Sequence, residues 1–107
     1  MAKFIVTQNN GSYHFNLKAA NGETVLTSES YTSEKACLSG IEAVKHNSSN
    51  MANFEDRTAE NGQHYFVLKA ANKEIIGTSE TYISKESMKM GIETVMEKAP
   101  LAEVFEA

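Results

Sequence analysis

Cysteine occurs once in this chain, at Cys37, so no intrachain disulfide can form and a four-thiolate metal site is excluded. No apolar run approaches the ~18 residues a membrane helix needs. The opening MAKFIVTQNNG holds an apolar stretch of only three residues, too short for the core of a secretory signal. Tryptophan is absent, and proline occurs once, at Pro100. The three histidines, His14, His46 and His64, show no H-x-E or H-x₃-H spacing. No G-x-G-x-x-G or P-loop stretch precedes a helix. These absences exclude the disulfide-stapled and helical-membrane classes, and a cytoplasmic protein without metal or cofactor is expected.

Positive charge is also short in one half. Residues 1–51 carry four Lys against four Glu, while residues 52–107 carry six Lys and Arg against ten Asp and Glu. The second stretch therefore supplies the whole net charge of −4. Broad nucleic-acid surfaces release counterions through a basic field, which this balance does not provide. With 107 residues, 41% hydrophobic and 22% charged, the composition suits one soluble domain with one core.

What the chain does have is a sentence said twice. LKAANGE at residues 17–23 returns as LKAANKE at residues 68–74. Over residues 10–47 against 61–98, 18 of 38 positions are identical at a displacement of 51. A tandem duplication explains that density.

Each copy reads alike. Phe4 to Gln8 is a short strand, and Asn9-Asn10-Gly11 offers the left-handed positions of a hairpin turn. Ser12 to Lys18 alternates, with Tyr13, Phe15 and Leu17 on one side and His14, Asn16 and Lys18 on the other. Asn21-Gly22 turns the chain into Thr24 to Ser28. Ser33 then caps a helix running to about His46, whose stripe is Ala36, Cys37, Gly40, Ile41 and Val44. In the second copy the stripe is Met88, Gly91, Ile92 and Val95, ended by Ala99-Pro100. Closing strands follow at 51–55 and 101–106, matching Phe54 with Phe105. Since 54–59 also stands 51 places after 3–8, that stretch closes one unit and opens the next. The reading is one domain over 1–107, with repeats at about 3–55 and 54–107 sharing a strand near 51–59. Positions kept at period two mark the covered face of the sheet. That logic puts Val25 and Ile76 in the core and Leu26 and Gly77 on the open side.

These paired stretches (LKAANGE, TSESY-TS and Gly40-Ile41-Glu42, then LKAANKE, TSETY-IS and Gly91-Ile92-Glu93) resemble the YegP-like family of small bacterial proteins of unknown function. The resemblance implies an α+β fold: two β(3)-α-β repeats in a single antiparallel sheet, C-terminal strands exchanged, two helices on one face. It implies no catalytic residues. Lys73, where the first copy has Gly22, is the departure.

The mid-helix glycines Gly40 and Gly91 cost about 1 kcal/mol each against alanine, so close approach of helix and sheet is expected there. Cys37, replaced by Met88 in the second copy, reads as core. Glu29, Tyr31, Glu80 and Tyr82 read as a lid on the core edge, with the glutamates bonding backbone amides or Lys18 and Lys69. For binding, the candidates are His14, Lys18, Tyr65 and Lys69 on the open face. A monomeric, non-enzymatic binding module using that face or a sheet edge is expected, with a protein or peptide partner and no membrane. Single-stranded nucleic acid ranks second, because amines beside aromatics suit base stacking. A small enzyme ranks last.

Overall fold

A computed structural model describes all residues, Met1–Ala107. The chain runs β1 (Lys3–Asn9), β2 (Ser12–Lys18), β3 (Thr24–Thr27), α1 (Glu34–Asn47), a 3-10 turn (Met51–Asn53), β4 (Phe54–Thr58), β5 (His64–Lys69), β6 (Ile75–Thr78), α2 (Lys85–Lys98), a second 3-10 turn (Ala99–Leu101) and β7 (Glu103–Glu106). All seven strands form one sheet, ordered β4-β5-β6-β3-β2-β1-β7. The halves meet at β3 and β6, through the pair Thr27–Thr78, which marks a pseudo-twofold axis. Five of the six strand pairings are antiparallel; the sixth, β1 with β7, is parallel. The C-terminal strand of the second half thus lies on the first half. The helices cross over as well: α1 lies on β2 and reaches β5 and β6, while α2 lies on β5 and reaches β3.

Both helices start where the serines predict. Ser33 Oγ accepts from Ala36 N and Ser84 Oγ from Ser87 N, satisfying amides that a helix start leaves orphaned. Their apolar stripes meet Phe4, Phe15, Leu17, Phe66 and Leu68 in one core on one face of the sheet.

The repeated LKAAN stretch is a hairpin turn. Ala19 N donates to Glu23 O, Gly22 N to Ala19 O, and Glu23 N to Asn21 Oδ1. Ala70, Lys73, Glu74 and Asn72 repeat every one of these bonds. So does Ala59-Glu60-Asn61-Gly62-Gln63, a third copy of the turn. The fourth turn position needs left-handed backbone, at φ +86° for Gly22 and Gly62 and φ +74° for Lys73. A side chain there costs about 1–2 kcal/mol, partly offset by the unfolded-state freedom that glycine adds. Lys73→Gly should therefore stabilise by about 0.5–1 kcal/mol and raise Tm by roughly 3–6 °C in a thermal melt. A lower Tm would mean that lysine carries an unseen favourable contact.

The second repeated stretch, T-S-E-x-Y, is also architecture. Ser28 N donates to Phe15 O, and Ser28 Oγ accepts from Phe15 N at 2.9 Å. Ser79 does the same for Phe66. Three residues later, Tyr31 and Tyr13 exchange backbone bonds, as do Tyr82 and His64. The Tyr31 ring then stacks on Phe15, 6.3 Å between centroids, with its hydroxyl pressed against Gly40. Tyr82, Phe66 and Gly91 repeat the arrangement. Each helical glycine makes room for a tyrosine, which accounts for its cost in helix propensity. The side chains of Glu29 and Glu80 form no hydrogen bond, and neither pairs with Lys18 or Lys69.

Two placements differ from the sequence reading. Leu26 is fully buried, and it covers Gly77: both face the core rather than the open side. The cause is a bulge. Leu17 pairs with Leu26 but Lys18 pairs with Thr24, so Val25 is the extra residue and the alternation slips by one. Ile76 holds the same place in the second half. The other difference is that Phe54 corresponds to Phe4, not to Phe105. Phe4 pairs with Leu17 and meets Phe15 edge-on; Phe54 pairs with Leu68 and meets Phe66 edge-on, both at 5.7 Å. Before the first turn the displacement is thus 50 (Met1-Ala2-Lys3-Phe4 against Met51-Ala52-Asn53-Phe54), and the longer second turn makes it 51 afterwards.

Candidate functional site

No helix covers the other face of the sheet. Registers of all seven strands line up one row across it: Glu55, Val67, Thr78, Thr27, Asn16, Ile5 and Phe105. Directly paired residues share a face, so His14, Asn16 and Lys18 stand beside Thr7, Ile5 and Lys3, and Tyr65 beside Arg57. The four binding candidates His14, Lys18, Tyr65 and Lys69 all lie on this face. They do not converge. With β6 and β3 between them, β2 and β5 are about 14 Å apart, and His14 and Lys18 are about 13 Å apart along their strand. The four mark the corners of a surface rather than the walls of a pocket. Asn16 Nδ2, at its middle, donates to Thr27 Oγ1 at 2.9 Å. Val67 is buried although it lies outside the helix-side core.

One charged cluster organises the far end of the face. Glu55 accepts from Arg57 Nε at 2.6 Å and from Lys69 Nζ at 2.8 Å, and Arg57 is paired across the strands with Tyr65. The hydrogen bond from Lys69, followed by that from Arg57, lowers the Glu55 carboxyl from the usual 4.5 to about 2. The two cations are thereby committed within the protein. A depressed carboxylate contributes stability that is complete above its unfolded pKa and lost as protons bind the folded form. The window here runs from 4.5 down to about 2. A carbon-detected carboxyl titration should give a midpoint near 2 for Glu55, returning toward 4.5 in Lys69→Met. An ordinary midpoint in the unmodified chain would show that the cluster does not form in solution.

On the other end, Lys3 Nζ sits 5.8 Å from the centre of the exposed Phe105 ring. Sequence reasoning missed Glu55, Arg57, Ile5 and Phe105, because Glu55 and Arg57 stand where the first half has Ile5 and Thr7, and the change of displacement hid which strands correspond. Only the alternation of β1 could have flagged Ile5.

Elsewhere the groups that carry chemistry are quiet. Cys37 is buried, and burial, then Glu34, raises its thiol pKa, the reverse of an activated nucleophile. Burial also raises the tyrosine hydroxyls, with Cys37 and Glu29 adding at Tyr31 and Glu80 at Tyr82. No three His, Cys, Asp or Glu side chains gather in metal-binding geometry. Two open grooves indent the helix side. One of about 440 Å³ lies between Met1, Ala20, Thr94 and Leu101; one of about 350 Å³ lies between Met51, Phe54, Asp56 and Ile92. No helix is long and apolar enough to cross a membrane.

The two halves each match one family model, described as a domain of unknown function, DUF1508, at residues 8–55 and 59–106. The chain belongs to the DUF1508 family. Among its relatives, UPF0339 protein PA0329 of Pseudomonas aeruginosa is 45% identical over 92 residues, 86% of this chain and 84% of that one. UPF0339 protein YegP of Escherichia coli is 49% identical over 83 residues, covering 78% and 76%. Solution structures of two members superpose closely. YegP from E. coli gives a TM-score of 0.92 at 40% identity, covering 98% of this chain and 91% of that one. UPF0339 protein SO3888 from Shewanella oneidensis gives 0.91 at 39%, covering 98% and 90%. The DUF1508 family is described as of unknown function, and in this chain the stretches repeated between its two halves are the turn, the tyrosine stack and the helix glycine described above.

Proposed function

We propose that this DUF1508 protein is a cytoplasmic, monomeric, non-catalytic binding module whose open sheet face receives a protein or peptide. The reading rests on one observation: a mixed face seven strands wide that no element of the chain covers. Ile5, Phe105 and Tyr65 lie among polar and charged neighbours on it. Such breadth suits a macromolecular partner, for which a standard interface takes about 800 Å² from each side. Catalysis draws less support: the one groove that gathers titratable groups, Asp56, Lys89 and Glu93, is open and holds no nucleophile or histidine. Single-stranded nucleic acid comes second, since Arg57 and Lys69 are held by Glu55.

The test is an amide-shift titration of the labelled full chain with fractionated bacterial lysate and, separately, with an oligothymidine. A protein fraction should shift His14, Asn16, Lys18, Tyr65 and Lys69, and Lys18→Glu should weaken the effect. Shifts confined to the helices would retire the reading. Shifts with the oligothymidine alone would favour nucleic acid.

A further inference from the structure

The pseudo-twofold axis relates β1 to β4, yet the outer edges of the two strands differ. On β1 lies β7, parallel, in the register Lys3–Glu103, Phe4–Val104, Ile5–Phe105 and Val6–Glu106. Ala107 N extends the ladder to Val6 O at 2.9 Å. On β4 lies nothing, so one row of its backbone donors and acceptors is unpaired. Side-chain burial follows the same asymmetry. Phe4 and Val6 are buried, whereas Phe54 is half-buried and Asp56 exposed.

The groove of about 350 Å³ is the space that asymmetry leaves. Its apolar walls Met51, Phe54 and Ile92 are the counterparts of Met1, Phe4 and Ile41, and its rim is charged, with Asp56 in place of Val6 and Lys89 and Glu93 on α2. Val104, paired with Phe4, faces the helix side of β1. A strand laid on β4 in the same register would put its second residue beside Phe54, within the groove.

We propose that the outer edge of β4 binds an extended segment of another protein, running parallel to β4, with an aliphatic side chain in the Met51–Phe54–Ile92 groove. This narrows the binding-module reading to one sheet edge and needs no contact with the open face. Strand addition of this kind draws affinity from the backbone ladder and selectivity from the pocket that takes alternate side chains. Selectivity here resides at the second residue. The fourth meets mixed charge: Asp56 stands in place of Val6, and Lys85 stands where, in the first half, Glu34 lies beside Glu106.

A second copy of this chain is a poor occupant. Its β7 is already held on β1, and using that strand's other edge joins copies head to tail without closure. It would also bring Glu103 and Glu106 toward Glu55 and Asp56, between chains of net charge −4 each. The inward-side Asp56 is the kind of charge that keeps sheet edges from pairing with themselves.

The experiment titrates labelled full-length protein with four capped peptides, Ser-Lys-Thr-X-Thr-Thr-Lys-Ser, where X is Val, Ile, Leu or Asp. The aliphatic peptides should shift residues 51–58 and 89–93 saturably. The Asp peptide should bind several-fold more weakly, as expected for losing a partly buried aliphatic side chain, since Val104 in the equivalent place on β1 is itself partly exposed. Met51→Asp, on an exposed wall, should weaken the aliphatic peptides comparably while the remaining spectrum stays folded. No shift at β4 at millimolar peptide, or equal binding by all four, overturns the proposal. So does concentration-dependent self-association mapped to β4 without peptide, which would make the occupant a second copy. Peptide binding at β4 with a silent open face under lysate retires the open-face reading alone; the reverse result retires only this one.

Discussion

Gly77→Leu is expected to lower stability by about 3 kcal/mol or more, and adding Leu26→Gly to the same chain is expected to recover most of the loss. Positions 26 and 77 are equivalent in the two halves and adjoin the Thr27–Thr78 pair on the axis. Both face the core, but the space between them holds one leucine. A Cβ at position 77 would lie 2.6 Å from Leu26 Cδ2 and 2.7 Å from its Cγ. Leu26 is fully buried and has nowhere to go. The clash is therefore not relieved by swinging a flexible tip outward, as it could be for the half-buried tyrosine over Gly40. Leu26→Gly alone empties the site and should cost about 3–5 kcal/mol, in the range of buried leucine truncations. The double variant moves the same side chain to the mirror position, and volume-conserving exchanges cost about 1.5 kcal/mol or less. Urea unfolding of the four chains gives the coupling directly. Additive losses, or a tolerated Gly77→Leu, would show that the axis has more room than the packing indicates.

The same pair shows where sequence reading ends. Repeat identity located both copies of the LKAAN turn, both serine caps and both helix glycines, because each is a local demand met by one residue type. Period-two counting then failed at Leu26 and Gly77. It assumes uninterrupted pleating, and a bulge after Leu17 shifts the phase without any glycine or proline to announce it. A turn three residues longer than its partner, or shorter, would stand out; a single extra residue between β4 and β5 does not. It hid the correspondence of Phe4 with Phe54 and made Phe105 look like the partner. The candidate surface was half legible. β2 and β5 repeat, so His14, Lys18, Tyr65 and Lys69 could be assigned a face from alternation alone. Glu55 and Arg57 could not, because they belong to the one strand whose counterpart carries Ile5 and Thr7 instead. The open edge of β4 is a property of topology, visible only once β7 is seen to pair with β1.

Cutting the chain after Asn50 should abolish the fold of both pieces as monomers, and mixing the pieces should restore it. A piece of that length buries only about 60% of its unfolded surface, which is marginal without help. Residues 1–50 would lose more than length. Without β6 the outer edge of β3 is bare, and without β7 so is that of β1, which uncovers Phe4 and Val6. Helix α1 would lose β5 and β6, onto which it extends. Nor does pairing with itself repair this. A homodimer about the same axis would set Leu26 against Leu26 in room for one leucine, and two copies of residues 51–107 would set Gly77 against Gly77 over a void. Only the unlike halves supply one large and one small residue there. Circular dichroism should therefore show little structure in either piece and native-like signal in the equimolar mixture, with sedimentation giving a one-to-one complex. A stable, folded monomer of residues 1–50 would refute the shared sheet as the source of stability. Homodimers as stable as the mixture would place the specificity of pairing somewhere other than Leu26 and Gly77.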